Sequence, residues 1–216
     1  SSKFPAPWLQ GTRPCLFARM QVDMAITEEE EVVELNVHSF DLLEMTQQQA
    51  AETQEAWEMF LQCYESIEVA GEALHDAIID ASPTLTTLFT MPRAVTSMRL
   101  QEGIHQIINS LTEPQDVKNL VDILGFKHLN LDLSISRVEV IRDAILELMG
   151  NELGANLTQE MTTGILRVLN YIGGALIYIR SHFADRVKIL SESWEEANRE
   201  RDQTKQKQIE KGTRPS

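Results

Sequence analysis

The sequence predicts an all-α fold. Three observations carry that expectation. From Glu55 to Arg180 apolar residues recur at steps of three and four, the period of a helix with one buried face. Ser, Thr and Pro stand at the heads of these stripes, where helices begin. No stretch alternates apolar and polar residues for long enough to read as a strand.

Taken in order, the first stripe is Trp57, Phe60, Leu61 and Tyr64, and the second is Val69, Ala73, Ala77 and Ile78. Ser82-Pro83 predicts a new helix start, a cap followed by Pro at the first position, with a short turn over Thr84 to Phe89. After Pro92 the third stripe runs through Leu100, Ile104, Ile107, Ile108 and Leu111, ended by Thr112-Glu113-Pro114. A fourth helix then covers Val117 to His128, closed by Asn130 and Asp132. Ser136 is the expected cap of the fifth, with Val138, Ile141, Ile145 and Leu148 inward and Gly150 and Gly154 at its end. Thr158 with Glu160 opens the last, which carries Ile165, Val168, Leu169, Ile172, Leu176 and Ile179. Gly173-Gly174 in its middle costs about 1 kcal/mol per glycine relative to Ala. A close crossing by the backbone of another helix would explain it. There is no internal repeat.

The two ends differ from this middle and from each other. Residues 1–22 hold Lys3, Arg13 and Arg19, no acid, and Pro5, Pro7, Gly11 and Pro14. They read as a flexible basic and aromatic arm: the remnant of an organelle-targeting peptide, or a docking arm anchored by Phe4, Trp8, Leu9, Leu16 and Phe17. A start without Met is expected to be processed or engineered. Residues 23–54 reverse the sign and read as an acidic helical extension. Between Asp23 and Glu55 there are ten acids and no Lys or Arg. Thr27 ahead of Glu28, and Thr46 ahead of Gln49, predict caps for one or two short helices. Residues 55–182 form the stripe-bearing domain. Residues 183–216 continue helically through Phe183, Val187, Leu190 and Trp194, and then lose their stripe in a basic tail.

Charge and cysteine content limit the function classes. The 216 residues carry 33 acids against 19 Lys and Arg, a net charge of −14. Phosphate binding calls for the opposite sign, which argues against nucleic acid or an anionic membrane as main partner. No apolar run approaches the length needed to span a bilayer, so an integral membrane protein is not expected. Cys15 and Cys63 make neither a disulfide framework nor a zinc motif, which suits an intracellular, reducing compartment. Cys63 falls on the first stripe and is expected to be packed. His38, His75 and His182 sit in polar surroundings and are expected at the surface. Asp143 and Glu147 lie one turn apart, facing outward.

One stretch concentrates the chemistry. Val117, Val121 and Leu124 are followed on the same helical face by His128, at steps of four, three and four. An imidazole at the end of an apolar stripe can hold a metal against a dry pocket. It can equally be a buried histidine bonded to a carbonyl. The residues alone leave both open.

The order of motifs resembles a known family. Trp57, then Ser82-Pro83 leading to Leu88-Phe89, then Leu-Gly-Phe-Lys-His at Leu124 to His128 precede a long helix. Leu157-Thr-Gln-Glu follows, leading to Val168-Leu-Asn-Tyr-Ile-Gly-Gly-Ala-Leu-Ile. Over roughly Glu55 to Arg180 this is similar to globins, and most similar to globin domains of single-celled algae and other protists. The resemblance implies a globin-like helical fold, with the acidic and basic helical extensions added at its ends. It implies haem b as cofactor, held by His128 as the proximal iron ligand through one ring nitrogen. The other nitrogen would donate to a nearby carbonyl and set ligand basicity. Leu124 would lie beside it. Phe89 would pack on the porphyrin, with Met91 competing for that place. On the opposite face the resemblance puts Gly103 at the position that commonly holds a polar donor, with Ile107 one turn on. A shifted alignment puts Gln101 there; His105 falls on the other side of the stripe.

The resemblance leaves two function classes. One is a haem protein that takes oxygen, nitric oxide or carbon monoxide for binding, sensing or redox chemistry. Turnover would need a separate electron donor, because no flavin or nicotinamide motif is present, and enzyme activity is not the favoured expectation. The other is a haem-free globin-fold subunit that docks into a larger assembly through its two extensions. A bilin carrier is disfavoured, because neither Cys15 nor Cys63 lies between the middle helices.

Overall fold

The computed structural model describes residues 34–212, the side chains of residue 202 and of 204–212 excepted. The basic arm, the Thr27 cap and Cys15 lie outside the described residues. Six α-helices follow one another: α1 Gln47–Gln62, α2 Ile67–Ala81, α3 Arg93–Asn109, α4 Pro114–Lys127, α5 Ile135–Leu153 and α6 Gln159–Gly212. Short 3-10 turns, Pro83–Leu88 and Gly154–Asn156, precede α3 and α6. Among the described residues there is no strand, as the sequence predicted.

Capping chemistry places most of these starts. Gln49 N donates to Thr46 Oγ1 at 3.2 Å and Thr46 N to Gln49 Oε1 at 3.0 Å, a reciprocal capping box. It starts α1 at Gln47, ten residues ahead of Trp57, which therefore lies in mid-helix. Ser66 accepts from Val69 N at the head of α2, and Pro83 begins its segment as expected; Pro114, expected only as the end of the third stripe, is the first residue of α4, which starts three residues before Val117. At α5 the cap is Ser134, which accepts from Arg137 N at 3.4 Å; Ser136 lies inside the helix. Both serines precede the stripe, and spacing alone does not choose between them. Gly154 ends α5 with φ 53°, a conformation that L side chains rarely adopt, whereas Gly150 is an interior residue. Thr158 accepts from Met161 N at 3.2 Å and opens α6.

The helices pack in two linked sets. α6 supports α1, α4 and α5, while α2 packs on α3 and α5. Small residues let backbones approach at the crossings. A Cβ on Gly71 of α2 would come within 2.7 Å of the Ser97 carbonyl oxygen of α3. Gly164 of α6 faces Thr53 of α1, and Gly125 of α4 faces Ile179 of α6. The space between is filled by one apolar cluster that includes Trp57, Phe60, Leu74, Ile108, Ile145 and Ile165, all fully buried or nearly so.

The acidic extension departs from expectation. Residues 34–46 are not helical. They form an extended strap in which Leu35, Val37 and Ser39 turn inward while Glu34, Asn36 and His38 are exposed, the two-residue period of an extended chain. Asn36 fixes a local turn: its Oδ1 accepts from His38 N at 3.0 Å and Ser39 N at 3.2 Å. Further along, Tyr171 Oη donates to the Asp41 carbonyl at 2.8 Å. Lys118 Nζ donates to the Phe40 carbonyl at 2.6 Å and lies 3.7 Å from the Phe40 ring centroid, a hydrogen bond and a cation–π contact from one ammonium. The Gly173-Gly174 pair is explained here. A Cβ on Gly174 would run into the Asn36 carbonyl, and one on Gly173 would run into Val138 and reach Leu35. A backbone does cross closely, but it belongs to the strap, not to a helix.

α6 is 54 residues long, about 80 Å at 1.5 Å per residue. Its first half is core. From Asp185 to Arg201 every side chain but Asn198 is exposed. One window of 18 residues within it is long and apolar enough to cross a bilayer, beyond what the sequence pattern suggested. Half of that window is buried inside the protein, as in the core helix of a globule.

Candidate functional site

His128 is the C-terminal cap of α4, with φ −108° and ψ 13°. Its backbone N–H reaches the carbonyls of Leu124 and Gly125, each at 3.1 Å. Its ring Nδ1 lies 2.7 Å from the Leu124 carbonyl oxygen. A carbonyl only accepts, so Nδ1 carries the proton. In the neutral ring Nε2 then holds the lone pair, and it has no protein hydrogen-bond partner among the described residues. The ring is half-buried.

α4 buries Val117, Val121 and Gly125, so the stripe that the sequence continued through Leu124 turns instead toward Gly125. Leu124 is half-buried against the core. The connection from His128 to α5 is tied down from two helices. Arg137 of α5 donates to the carbonyl and carboxylate of Asp132, and Arg180 of α6 approaches the same carboxylate at 3.2 Å and the Leu133 carbonyl at 3.4 Å. The sequence had offered Asp132 only as a helix stop. A pairing with Arg180, far along the chain, leaves no local signal.

The other candidates occupy separate places. Phe89 follows the Pro83–Leu88 turn, half-buried, with its ring 5.2 Å from that of His75. Met91 beside it is 42% exposed, and Arg99 donates to its sulfur at 3.2 Å. His75 is not a surface residue: its side chain is 12% exposed, under Phe89 and next to Asp76. On α3, Gln101 is buried against Gly71 of α2, and its Nε2 finds no partner. Gly103 is half-buried with open space where a Cβ would stand, and Ile107 is in the core. Among the described residues His128 makes no hydrogen bond or ring contact with Phe89, Gln101 or His105.

His105 has a role that the sequence reading missed. Trp57 Nε1 donates to His105 Nδ1 at 3.2 Å, and His105 Nε2 pairs with the Asn109 amide at 2.9 Å. A fully buried indole N–H needs an acceptor, and the half-buried imidazole supplies it across the α1–α3 contact. The signal available was Trp57 itself, a core residue with one donor to satisfy. Cys63 also differs from expectation. α1 ends at Gln62, so Cys63 leaves the stripe, caps the helix and is exposed. Asp143 and Glu147 are exposed as expected, and Asp143 pairs with Arg142 at 2.7 Å.

Among the described residues no three His, Cys, Asp or Glu side chains converge. One surface depression, about 540 Å³, lies along the outer face of α4 between Asn119, Asp122, Ile123, Phe126 and Lys127. Another, about 330 Å³, lies between the starts of α1 and α6. Neither separates α3 from α4. Compared with protein-family models and with curated proteins, the sequence matches none.

Proposed function

We propose that this chain is a globin-type haem protein that takes a diatomic gas at iron. The observation that carries the reading is the 2.7 Å hydrogen bond from His128 Nδ1 to the Leu124 carbonyl. It selects the tautomer that leaves Nε2 as the donor atom, and it increases the basicity of the ring. The helix order supports the same reading: two helices, a Pro-led 3-10 turn ending at Leu88-Phe89, then four helices with His128 closing the second of them.

His128 Nε2, with its lone pair free, is the atom that would bond iron. The room for a porphyrin is a separate requirement. Ile104, Ile107 and Leu111 of α3 and its turn share one buried cluster with Val117 and Val121 of α4, so haem entry in this reading separates α3 from α4. When bound, haem supplies the gas-binding iron. His128 would hold that iron, and the clamp of Arg137 and Arg180 on Asp132 would restrain the loop that follows. With Gly103 and Ile107 of α3 facing the gas, no side chain there offers a hydrogen-bond donor; Gln101, whose Nε2 has no partner, packs beside Gly71 of α2. An oxygen complex would then lack about 1–3 kcal/mol of polar stabilisation. Carbon monoxide and nitric oxide lose less, so the reading favours them over oxygen storage.

The second reading, a haem-free subunit of an assembly, draws support from the same closed cluster. The visible absorption spectrum of the purified chain, with and without added haem, separates the two. An intense haem band that His128→Ala removes or weakens supports the first. A bare protein spectrum after haem addition, or a band that His128→Ala leaves unchanged, refutes the assignment of His128.

A further inference from the structure

Past Phe183, α6 carries an apolar seam that no described residue covers. Phe183, Val187, Leu190, Trp194 and Ala197 follow at steps of four, three, four and three, the spacing at which one helix faces another in a coiled coil. Val187 is 38% exposed, Leu190 69% and Trp194 68%. At the base of the seam Phe183 packs on Phe126 of α4 with ring centroids 5.4 Å apart, and the exposed Ile123 extends the patch one turn along α4. In proteins most helical stability comes from packing of an apolar face, and large side chains standing in solvent along one line mark a contact surface.

We propose that this seam pairs with the same seam of a second copy of the chain, antiparallel, with the two-fold axis passing near Glu192. Two features select that occupant and that orientation. The first is charge. One border of the seam is formed by Arg186, Ser193 and Glu200. Antiparallel pairing brings Arg186 of each copy beside Glu200 of the other. Parallel pairing sets Arg186 beside the uncharged Ser191. The second is size. The antiparallel register sets Leu190 of one copy against Trp194 of the other, and Val187 against Ala197, so every layer joins a larger side chain to a smaller one. Parallel pairing would instead oppose Trp194 to Trp194 and Ala197 to Ala197, a crowded layer followed by an empty one. At the ends, Arg201 of one copy reaches the exposed edge of Phe183 of the other, where a guanidinium covers an aromatic face. The surface joined is on the order of 1,000 Å², the lower bound of a specific interface, so the dimer forms and dissociates with concentration.

Sedimentation velocity on the full chain tests this. The expected result is a mass rising with concentration from 24.5 kDa toward twice that value. Leu190→Asp is expected to raise the dimer dissociation constant by at least about 100-fold, as two leucines leave the seam. At concentrations where the parent is itself monomeric, its circular dichroism and thermal midpoint match those of the parent, because Leu190 touches none of the core. Orientation is read by disulfide trapping in a Cys15→Ser, Cys63→Ser background with oxidised glutathione. Val187→Cys mixed with Ala197→Cys is expected to give the crossed dimer, and neither variant alone to do so. A monomer up to roughly 100 µM, a Leu190→Asp chain that still dimerises like the parent, or self-trapping of Val187→Cys overturns the proposal. Covering of the seam by the chain's own first 33 residues, or by a different protein, would appear as that monomer.

Discussion

Replacing one glycine by alanine in α6 reports on the strap more directly than any deletion. In mid-helix, Gly→Ala ordinarily stabilises by about 1 kcal/mol, through helix propensity alone. Gly150 of α5 is such a site, with nothing near the place of its Cβ. Gly150→Ala is therefore expected to raise the melting temperature by about 2–4 °C for a chain of this size. Gly174 has the same propensity and the opposite surroundings, because its Cβ would run into the Asn36 carbonyl. The strap must lift or shift. Leu35 and Val37 are half-buried, so displacing them costs roughly 1 kcal/mol each in lost burial, and losing a strap hydrogen bond such as Tyr171 to Asp41 costs about 1 kcal/mol more. Against the propensity gain, the net for Gly174→Ala is about 2 kcal/mol of destabilisation, a melting point some 4–8 °C lower. Thermal unfolding followed by circular dichroism, with both variants side by side, measures the difference. If Gly174→Ala is stabilised as Gly150→Ala is, the strap does not lie on α6 and the account of this glycine pair is wrong.

Other expectations follow from single contacts. Lys118→Met keeps the length of the side chain but removes its hydrogen bond and cation–π contact with Phe40; urea unfolding should show a loss of about 1–2 kcal/mol. His105→Leu leaves the buried Trp57 N–H without its acceptor, and the same measurement should show about 1–3 kcal/mol lost. Tyr64 is a pH probe: burial, and next the neighbouring Glu152 carboxylate, push its phenol from the usual 10 up to about 12. Its raised pKa means that the folded chain keeps the proton longer than the unfolded chain. Stability from this group is therefore intact below pH 10 and is lost as pH rises from 10 to about 12. Tyr64→Phe should flatten that part of the alkaline unfolding curve, and an unchanged curve would count against the assignment.

How far the sequence revealed this fold depends on where the causes lay. The Thr46–Gln49 box, the Ser82-Pro83 start and Gly154 are written within four residues of the structure they produce, and they read correctly. The Gly173-Gly174 pair disclosed a close crossing but not what crosses. The clue was present in Val33 to Ser39, where apolar and polar residues alternate, though too briefly to be read as an extended segment. Cys63 was misplaced because a stripe can continue in sequence after its helix has stopped. Around His128 the spacing placed the helix and its end; the imidazole, expected against a dry pocket or buried on a carbonyl, is half-buried. The bond to Leu124, four residues back, follows from the same helical geometry. The long-range partners were not legible: Arg180 at Asp132, Trp57 at His105 and Gln101 against Gly71 are brought together only by tertiary packing.

With Trp8, the third tryptophan of the chain, replaced by Phe, the burial pattern leaves the molecule two optical reporters. Trp57 is fully enclosed and hydrogen-bonded to an imidazole, whereas Trp194 is 68% exposed on the projecting helix. Their emission should differ in colour and in access to a soluble quencher such as acrylamide. Loss of the blue component tracks unfolding of the helical body, and shielding of the red component tracks contacts made by α6. Two events that light scattering or calorimetry would blend can thus be followed in one cuvette, without a label.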